Sequence, residues 1–573
     1  MTYHAPVREM QFYLSTVLGA DRLAETDRFA EATAEMSEAI LAEAAKLSQD
    51  VLAPINRAGD EHPARLENGV VRTSPGYADA YRAIAEGGWV GITGDPEHGG
   101  MGLPQTLATC VNEMMASACL SLSLNPLMSQ GQIEALEHHA ADALKTLFLP
   151  KLNSGEWTGT MNLTEPQAGS DVGALRSKAV ANGDGTYAVS GQKIYISWGD
   201  HDMADNVCHL VLARLPDAGS GTKGISLFLV PKYLPTDDGK PGVANTLKVI
   251  SLEHKMGLHG SPTAVMEYDG ATGWLVGPPQ GGMAAMFTMM NNARLGVGVQ
   301  GLSQAEAAYQ KALAYALERK QGRVPVEGGT GTIADHADVR RMLMTMKTLT
   351  AMVRAICLDC AFSLDMARAA AEADRAAWAD RGAFLTPIAK AFGTDTGCEV
   401  AELGVQVHGG MGFIEETGAA QFYRDVRVTA IYEGTNGIQA MDLVGRKLMD
   451  GGAAARALFA EIEATIAAAG DHPDIAEGLS TALGALQATL ETLLAAGDMN
   501  DRFAGAAPFL RACGLTLGGH YLLKAALAEG DADRLALARF ASRQLLPAVP
   551  GLCVSAQEPA ADLYALDAEA LAS

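Results

Sequence analysis

The chain has 573 residues, 48% of them hydrophobic and 19% charged, which is too long for one compact core and predicts three or four domains. Its formal charge of −24, from 43 basic and 67 acidic residues, repels nucleic-acid backbones and anionic lipid, and no basic spot is denser than Arg340-Arg341. No run of 18 uncharged apolar residues, signal peptide or transit pattern is visible, so the expectation is a cytoplasmic protein with no membrane span and no nucleic-acid partner.

Residues 1–157 read as an N-terminal helical domain, with apolar spacing of three and four over Glu25–Val51, Tyr77–Gly87, Gln105–Ala118 and Ala141–Leu149. Residues 158–280 change to a period of two over Thr186–Ser197, Val207–Leu215, Gly224–Leu234, Thr246–Leu252 and Thr263–Tyr268. Closely spaced strands with Gly, Pro and Asp turns predict a middle antiparallel β-barrel or sandwich. In residues 281–450 the helices return, at Ala284–Arg319, Asp335–Glu372 and Thr386–Val407. Residues 451–573 are rich in Ala and Leu, as at Ala485–Ala496 and Arg534–Arg543, and predict an extra C-terminal helical domain packed on the body or on a second subunit. The fold class is α+β.

Two motifs are set aside. Cys357 and Cys360 form a C-x-x-C, but inside a long apolar helical pattern, and read as core thiols; eight cysteines in so long a chain predict no disulfide framework. Gly296-Val-Gly298-Val-Gln-Gly301 matches a dinucleotide fingerprint, which needs a strand before it and a helix opening at it. Here the helical pattern runs through it, and small residues in a helix allow close packing of a neighbour. His408 has no second histidine at ligand spacing, so no metal is expected.

Three segments carry chemistry. Leu163-Thr-Glu-Pro-Gln-Ala-Gly-Ser-Asp171 is a tight turn with hydroxyls at 164 and 170 that can donate to a polar cofactor edge. Gln406-Val-His-Gly-Gly-Met-Gly-Phe413 pairs glycines that let a ligand approach the backbone. Ala430-Ile-Tyr-Glu-Gly-Thr-Asn-Gly-Ile-Gln439 sets Glu433 between an aromatic ring and a glycine turn, where it is either a solvated loop acid or a base held in a dry place.

In this order, and over about residues 30–450, the three segments resemble the acyl-CoA dehydrogenase family, flavoenzymes that oxidise an acyl-CoA thioester to its trans-2-enoyl form. The resemblance implies the acyl-CoA dehydrogenase fold, with FAD as cofactor, an acyl-CoA substrate, electron-transfer flavoprotein as redox partner, and a homo-oligomer, dimer or tetramer. Glu433 matches the catalytic base that removes the α-proton while the β-hydrogen leaves as hydride to flavin N5. The backbone N–H of Glu433 and a ribityl hydroxyl would hold the thioester carbonyl. For the cofactor, the resemblance implies Met161, Leu163, Thr164, Gly169 and Ser170 along the flavin, Tyr195, Ile196 and Ser197 beside it, and Thr435 and Asn436 after the base. Arg319 is similar to an arginine reaching the pyrophosphate of a neighbouring subunit's FAD, and Gln406, Gly409 and Gly410 to the loop holding the adenosine part. Ser170, Asn291, Arg294 and Gly434 are implied on the substrate side.

The chain departs from the family at several points. Tyr195-Ile196-Ser197 stands where Trp-Ile-Thr is frequent, Asn291 where an acid is common, and Lys320-Gln321-Gly322 where an aromatic step follows the arginine. The C-terminal extension, Met10–Leu23 and Lys193–Asp202 narrow the resemblance to a bacterial subgroup that converts 3-methylthiopropionyl-CoA to 3-methylthioacryloyl-CoA in dimethylsulfoniopropionate demethylation. The alternatives are a medium- or long-chain acyl-CoA dehydrogenase, an acyl-CoA oxidase using O2, and a non-enzymatic flavin-bearing scaffold.

Overall fold

A computed structural model describes residues 3–324 and 326–573. After a short helix at Val7–Phe12, the first helical region holds α1 (Ala34–Lys46), α2 (Tyr77–Glu86), α3 (Gln105–His139) and α4 (Asp142–Asn153), with a short hairpin, Arg65–Glu67 against Val70–Arg72, between α1 and α2. α3 runs past the expected Ala118 but is broken at Cys119, where φ is −156° and ψ is 88°. Its second half is buried on nearly every side, small polar residues included, and shows no amphipathic period to read. α3 is long and apolar enough to cross a membrane, and its most apolar 18-residue window is wholly buried within the protein. Asp365, on a later helix, caps the start of α3 by accepting from the N–H groups of Gln105 and Thr106 at 2.9 and 2.8 Å.

Seven strands follow in one sheet: β1 (Trp157–Asn162), β2 (Lys178–Ala181), β3 (Tyr187–Ser197), β4 (Asn206–Ala213), β5 (Ser226–Pro231), β6 (Leu247–Leu252) and β7 (Thr263–Val276). Their order is β1-β4-β5-β7-β3-β2, with β6 on β7. A bridge between Lys178 and Arg214 draws β2 back towards the end of β4, so the sheet curls into a partial barrel. One pair departs from the expected antiparallel pattern: β1 runs parallel to β4, from Trp157 opposite Asn206 to Asn162 opposite Val211. Parallel pairing goes with strands covered on both faces. β4 and β5 meet that condition: Leu210 and Leu229 face the helices, and Val211 and Phe228 face the barrel core. These two strands are therefore buried along their whole length, where the expected period of two would leave alternate residues exposed.

The second helical region holds α5 (Gly282–Glu318), α6 (Ala337–Ala369), α7 (Glu372–His408), α8 (Ala419–Val426) and α9 (Asn436–Asp442). The glycine triplet of α5 is a packing surface. A Cβ on Gly298 would lie 2.5 Å from the Ala389 carbonyl oxygen, and one on Gly301 would lie 2.4 Å from that of Gly393, both on α7. Cys357 and Cys360 are buried free thiols on α6. The tail supplies α10 (Ala453–Ala468), α11 (Pro473–Ala495) and α12 (Ala506–Glu529). Its buried residues join the same apolar cluster as α3, α5, α6 and α7, so the tail shares the body's core. α12 seats Gly514 against Phe392 and Gly518 against Met352, and Arg511 donates to Glu399 at 2.6 Å.

Candidate active site

The first motif leaves the sheet at the end of β1. Glu165 and Ala168 exchange backbone hydrogen bonds of 3.1 and 2.9 Å, closing a turn with Pro166-Gln167 at its tip. The N–H of Ile194 donates to the Thr164 carbonyl at 3.0 Å, so this turn lies against β3 one residue before Tyr195. The turn's acid points inward. The Glu165 carboxylate accepts from Lys193 Nζ at 2.8 Å, Ser177 Oγ at 2.6 Å and the Arg176 N–H at 2.7 Å. Burial pushes its carboxyl up, but Lys193 and these donors outweigh that and hold it at about 2. With the acid tied in, Gly169 and Ser170 are left exposed, Thr164 and Met161 half-buried, and Leu163 buried. On β3 the Tyr195 ring is exposed, the Ile196 side chain lies in the barrel core and Ser197 is half-buried.

The second motif closes α7. Gly409, at φ +59°, turns the chain, and Gln406, Gly409 and Gly410 are exposed. His408 accounts for itself locally: Nδ1 lies 2.7 Å from the Gly404 carbonyl, and the ring stacks on Tyr315 with centroids 4.5 Å apart. That stack joins the ends of α5 and α7, so exposed Arg319, four residues beyond Tyr315, shares an end of the molecule with the glycine loop. Arg294 lies 25 residues before Arg319 on the chain, a separation of about 37 Å along α5 at 1.5 Å per residue.

The third motif is a strained turn. Glu433 has a left-handed backbone at φ +55°, as does Tyr195 at φ +59°, and Gly434 follows at φ +85°. Such conformations cost of order 1–3 kcal/mol in non-glycine residues and persist only where the surroundings hold them. Here Gln439 Nε2 donates to the Glu433 carbonyl at 3.2 Å, the Thr435 hydroxyl caps α9 by accepting from Ile438, and Tyr432 donates its hydroxyl to buried Gln300. A Cβ on Gly434 would meet Gln439 Nε2 at 2.9 Å. The Glu433 side chain is half-buried, and none of the described residues donates a hydrogen bond to its carboxylate or accepts one from its N–H. Burial pushes the carboxyl up to about 7, with Arg294 and then Lys390 restraining the rise. Such a group is half-ionised at neutral pH, which suits a general base.

Buried Arg294 reaches Asn291 Oδ1 at 3.5 Å and Asp442 at 3.7 Å, while Asn291 itself is exposed. Asn436 faces inward: its carbonyl oxygen accepts from Lys390 Nζ at 2.8 Å, and its NH2 donates to Asp395 at 2.6 Å and Thr394 at 2.9 Å. Lys390, Asp395 and Gln300 are absent from the sequence-based set. The one signal for Lys390 is a lone lysine in the apolar run Leu385-Thr-Pro-Ile-Ala-Lys-Ala-Phe392.

The chain matches the models of the acyl-CoA dehydrogenase N-terminal domain over residues 34–156, the middle domain over 160–271 and the C-terminal domain over 280–449, followed by an acetyl-CoA dehydrogenase C-terminal-like region over 458–567. It is 46% identical over 542 residues to a 3-methylmercaptopropionyl-CoA dehydrogenase of Ruegeria pomeroyi, covering 93% of this chain and 92% of the relative. A butyryl-CoA dehydrogenase of Syntrophomonas wolfei is 36% identical, over 78% of this chain and 75% of its own. Among solved structures, Caenorhabditis elegans ACDH-11 in complex with C11-CoA superposes with a TM-score of 0.79 at 20% identity, covering 95% of this chain and 92% of its own. An acyl-CoA dehydrogenase complexed with FAD from Bacillus anthracis gives a TM-score of 0.72 at 19% identity, covering 95% and 91%. The chain belongs to the acyl-CoA dehydrogenase family and is an FAD-dependent oxidoreductase.

The residues present fit FAD. The exposed Tyr195 ring offers a flat face on β3, and the turn that carries the Thr164 and Ser170 hydroxyls is hydrogen-bonded to the same strand at Ile194. At the far end of α5, exposed Arg319 and the glycine loop supply a cation and an open backbone suited to phosphate.

Proposed function

We propose that the chain oxidises 3-methylthiopropionyl-CoA to 3-methylthioacryloyl-CoA, with Glu433 as the base that removes the α-proton. The role of Glu433 rests on one observation: a half-buried carboxylate that takes no hydrogen bond from the described residues, held near neutral pKa on a strained turn. The identity of the acyl group rests on the 46% identity to the Ruegeria enzyme.

Glu433 binds the proton taken from the carbon next to the thioester. Negative charge then develops on the thioester oxygen, and the unengaged N–H of Glu433 is the donor positioned to receive it. Gly434, without a side chain, lets the thioester lie close to that N–H. Arg294 holds the Glu433 carboxyl lower than burial alone would, which leaves part of the population ionised at neutral pH before the reaction. FAD, when bound, supplies the acceptor for the β-hydrogen as hydride. Thr164, Ser170 and Ser197 orient the ring edge, Tyr195 covers a face, and Arg319, Gln406, Gly409 and Gly410 hold the phosphate and adenosine end. Each cofactor takes its flavin end from one subunit and its pyrophosphate and adenosine end from the neighbouring subunit of a homo-oligomer, as the family resemblance implies. Electrons leave to electron-transfer flavoprotein.

The test is anaerobic flavin bleaching with 3-methylthiopropionyl-, butyryl-, octanoyl- and palmitoyl-CoA. The thioether substrate is expected to give the highest kcat/KM, and Glu433→Gln to bind FAD without bleaching. A higher kcat/KM with octanoyl-CoA would overturn the substrate, and a bleaching Glu433→Gln would overturn the base.

A further inference from the structure

Lys390 is a fully buried lysine in the middle of α7, and no carboxylate among the described residues lies within ion-pair distance of it. An uncompensated buried cation is costly. Its one side-chain partner among the described residues is the Asn436 carbonyl oxygen at 2.8 Å. Asn436 cannot turn its amide round, because the NH2 side is engaged by Asp395 at 2.6 Å and Thr394 at 2.9 Å. Asn436 opens α9, three residues after Glu433. The strained turn is thereby pinned at both ends, by Gln439 on the Glu433 carbonyl and by Lys390 through Asn436.

We propose that Lys390 is the positioning residue of Glu433: through Asn436 it fixes the 433–436 turn, and its charge favours the ionised form of the base. The inference rests on Glu433 being the base. The charged groups around Glu433 are Arg294 on α5 and Lys390 on α7. Lys390 in turn faces Asp395, Glu433, Arg294 and Cys398, and Arg294 faces Asp442 and Arg446. Burial lowers Lys390 to about 8, so it is charged over most of the range in which Glu433 titrates.

Two replacements push the base in opposite directions. Lys390→Met removes the positive charge, and the acidic limb of the kcat/KM profile should move up by about half a pH unit or more, a roughly threefold loss below pH 7 that recovers at pH 9. Asp395→Asn keeps an acceptor for Asn436 but removes a negative charge, and the limb should move down. Lys390→Arg should restore the limb even where the rate stays low. The ligand-free proteins give a second readout, the infrared carboxyl band of Glu433 identified by its loss in Glu433→Gln, whose midpoint should shift in the same directions. A purely structural lysine would lower the rate equally at every pH. If Glu433→Gln is inactive while the limbs and band midpoints of Lys390→Met and Asp395→Asn stay at the wild-type pH, the inference falls and the base stands. If Lys390→Met does not fold, Asp395→Asn and Lys390→Arg decide it. If Glu433→Gln still bleaches the flavin, both readings fall.

Discussion

Lys193 Nζ lies 2.8 Å from Glu165 Oε1, with 0% and 4% of the two side chains exposed, and Lys193 also donates to the Leu163 carbonyl at 3.0 Å. This pair, inside the sheet, holds the turn that presents Thr164 and Ser170. Lys193→Met would leave a buried carboxylate without its cation, a loss of about 3–5 kcal/mol. FAD occupancy, read as flavin absorbance per protein, should fall with it. Acid behaviour gives the sign. The Glu165 carboxyl is held at about 2, below its unfolded value, so its stabilising effect is present above the unfolded pKa and disappears as pH falls towards 2. Urea midpoints taken between pH 6 and pH 3 should therefore fall more steeply in the wild type than in Lys193→Met.

A second buried group joins three helices. Arg354 on α6 donates to Glu113 on α3 at 2.7 Å and to Glu306 on α5 at 2.6 Å. Arg354→Met leaves two buried acids facing each other and should cost about 3–5 kcal/mol, whereas replacing all three by apolar residues of similar volume should recover most of that loss. Denaturant unfolding of the single and triple variants measures both. A triple variant as unstable as the single one would mean that the ions themselves, and not their unpaired burial, hold the helices.

The site was legible where residue types are forced by local geometry or chemistry, and hidden where partners come from far along the chain. Glu433 stood out because a tyrosine, an acid and a glycine turn sit together; the strain at Glu433 and Tyr195 left no mark on residue type. Glu165 was read as part of a turn, and its ion pair 28 residues away was invisible. Lys390 lies 46 residues before Asn436 and looked like a helix residue. In the fold, the period of two located the strands but could not show that β1 runs parallel to β4, since register is set by what covers each face. The expected end of the Gln105–Ala118 helix coincides with the break at Cys119; the continuation was missed because a helix buried on every side has no polar stripe.

The tail is held by close approach. A Cβ on Gly518 would lie 2.5 Å from Met352 Cγ, near the root of that side chain, which has little room to move. Gly518→Val should push α12 off α6 at a cost of about 1–3 kcal/mol. The linker at Gly451-Gly452 should then open, so limited proteolysis should release a fragment of about the size of residues 453–573 faster than in the wild type. Equal cleavage rates would show that the contact can be repacked without undocking the tail.

The base itself carries a stability cost with a defined pH dependence. Burial raises the Glu433 carboxyl from its ordinary value to about 7, so the folded protein holds a proton that the unfolded chain has already released. Between the unfolded pKa and about 7, stability therefore falls as pH rises, the opposite sign to Glu165. Glu433→Gln keeps the shape and removes the titration. The variant should match the wild type in Tm at pH 5, where the wild-type carboxyl is protonated and neutral like the amide, and exceed it at pH 8. The gain should be about 2 kcal/mol, a figure already reduced for the solvent that reaches a half-buried group. Differential scanning calorimetry at the two pH values checks it. A wild type more stable than Glu433→Gln at pH 8 would mean that Arg294 and Lys390 more than offset the burial of the charge, and that Glu433 is a structural acid and not a base held ready at neutral pH.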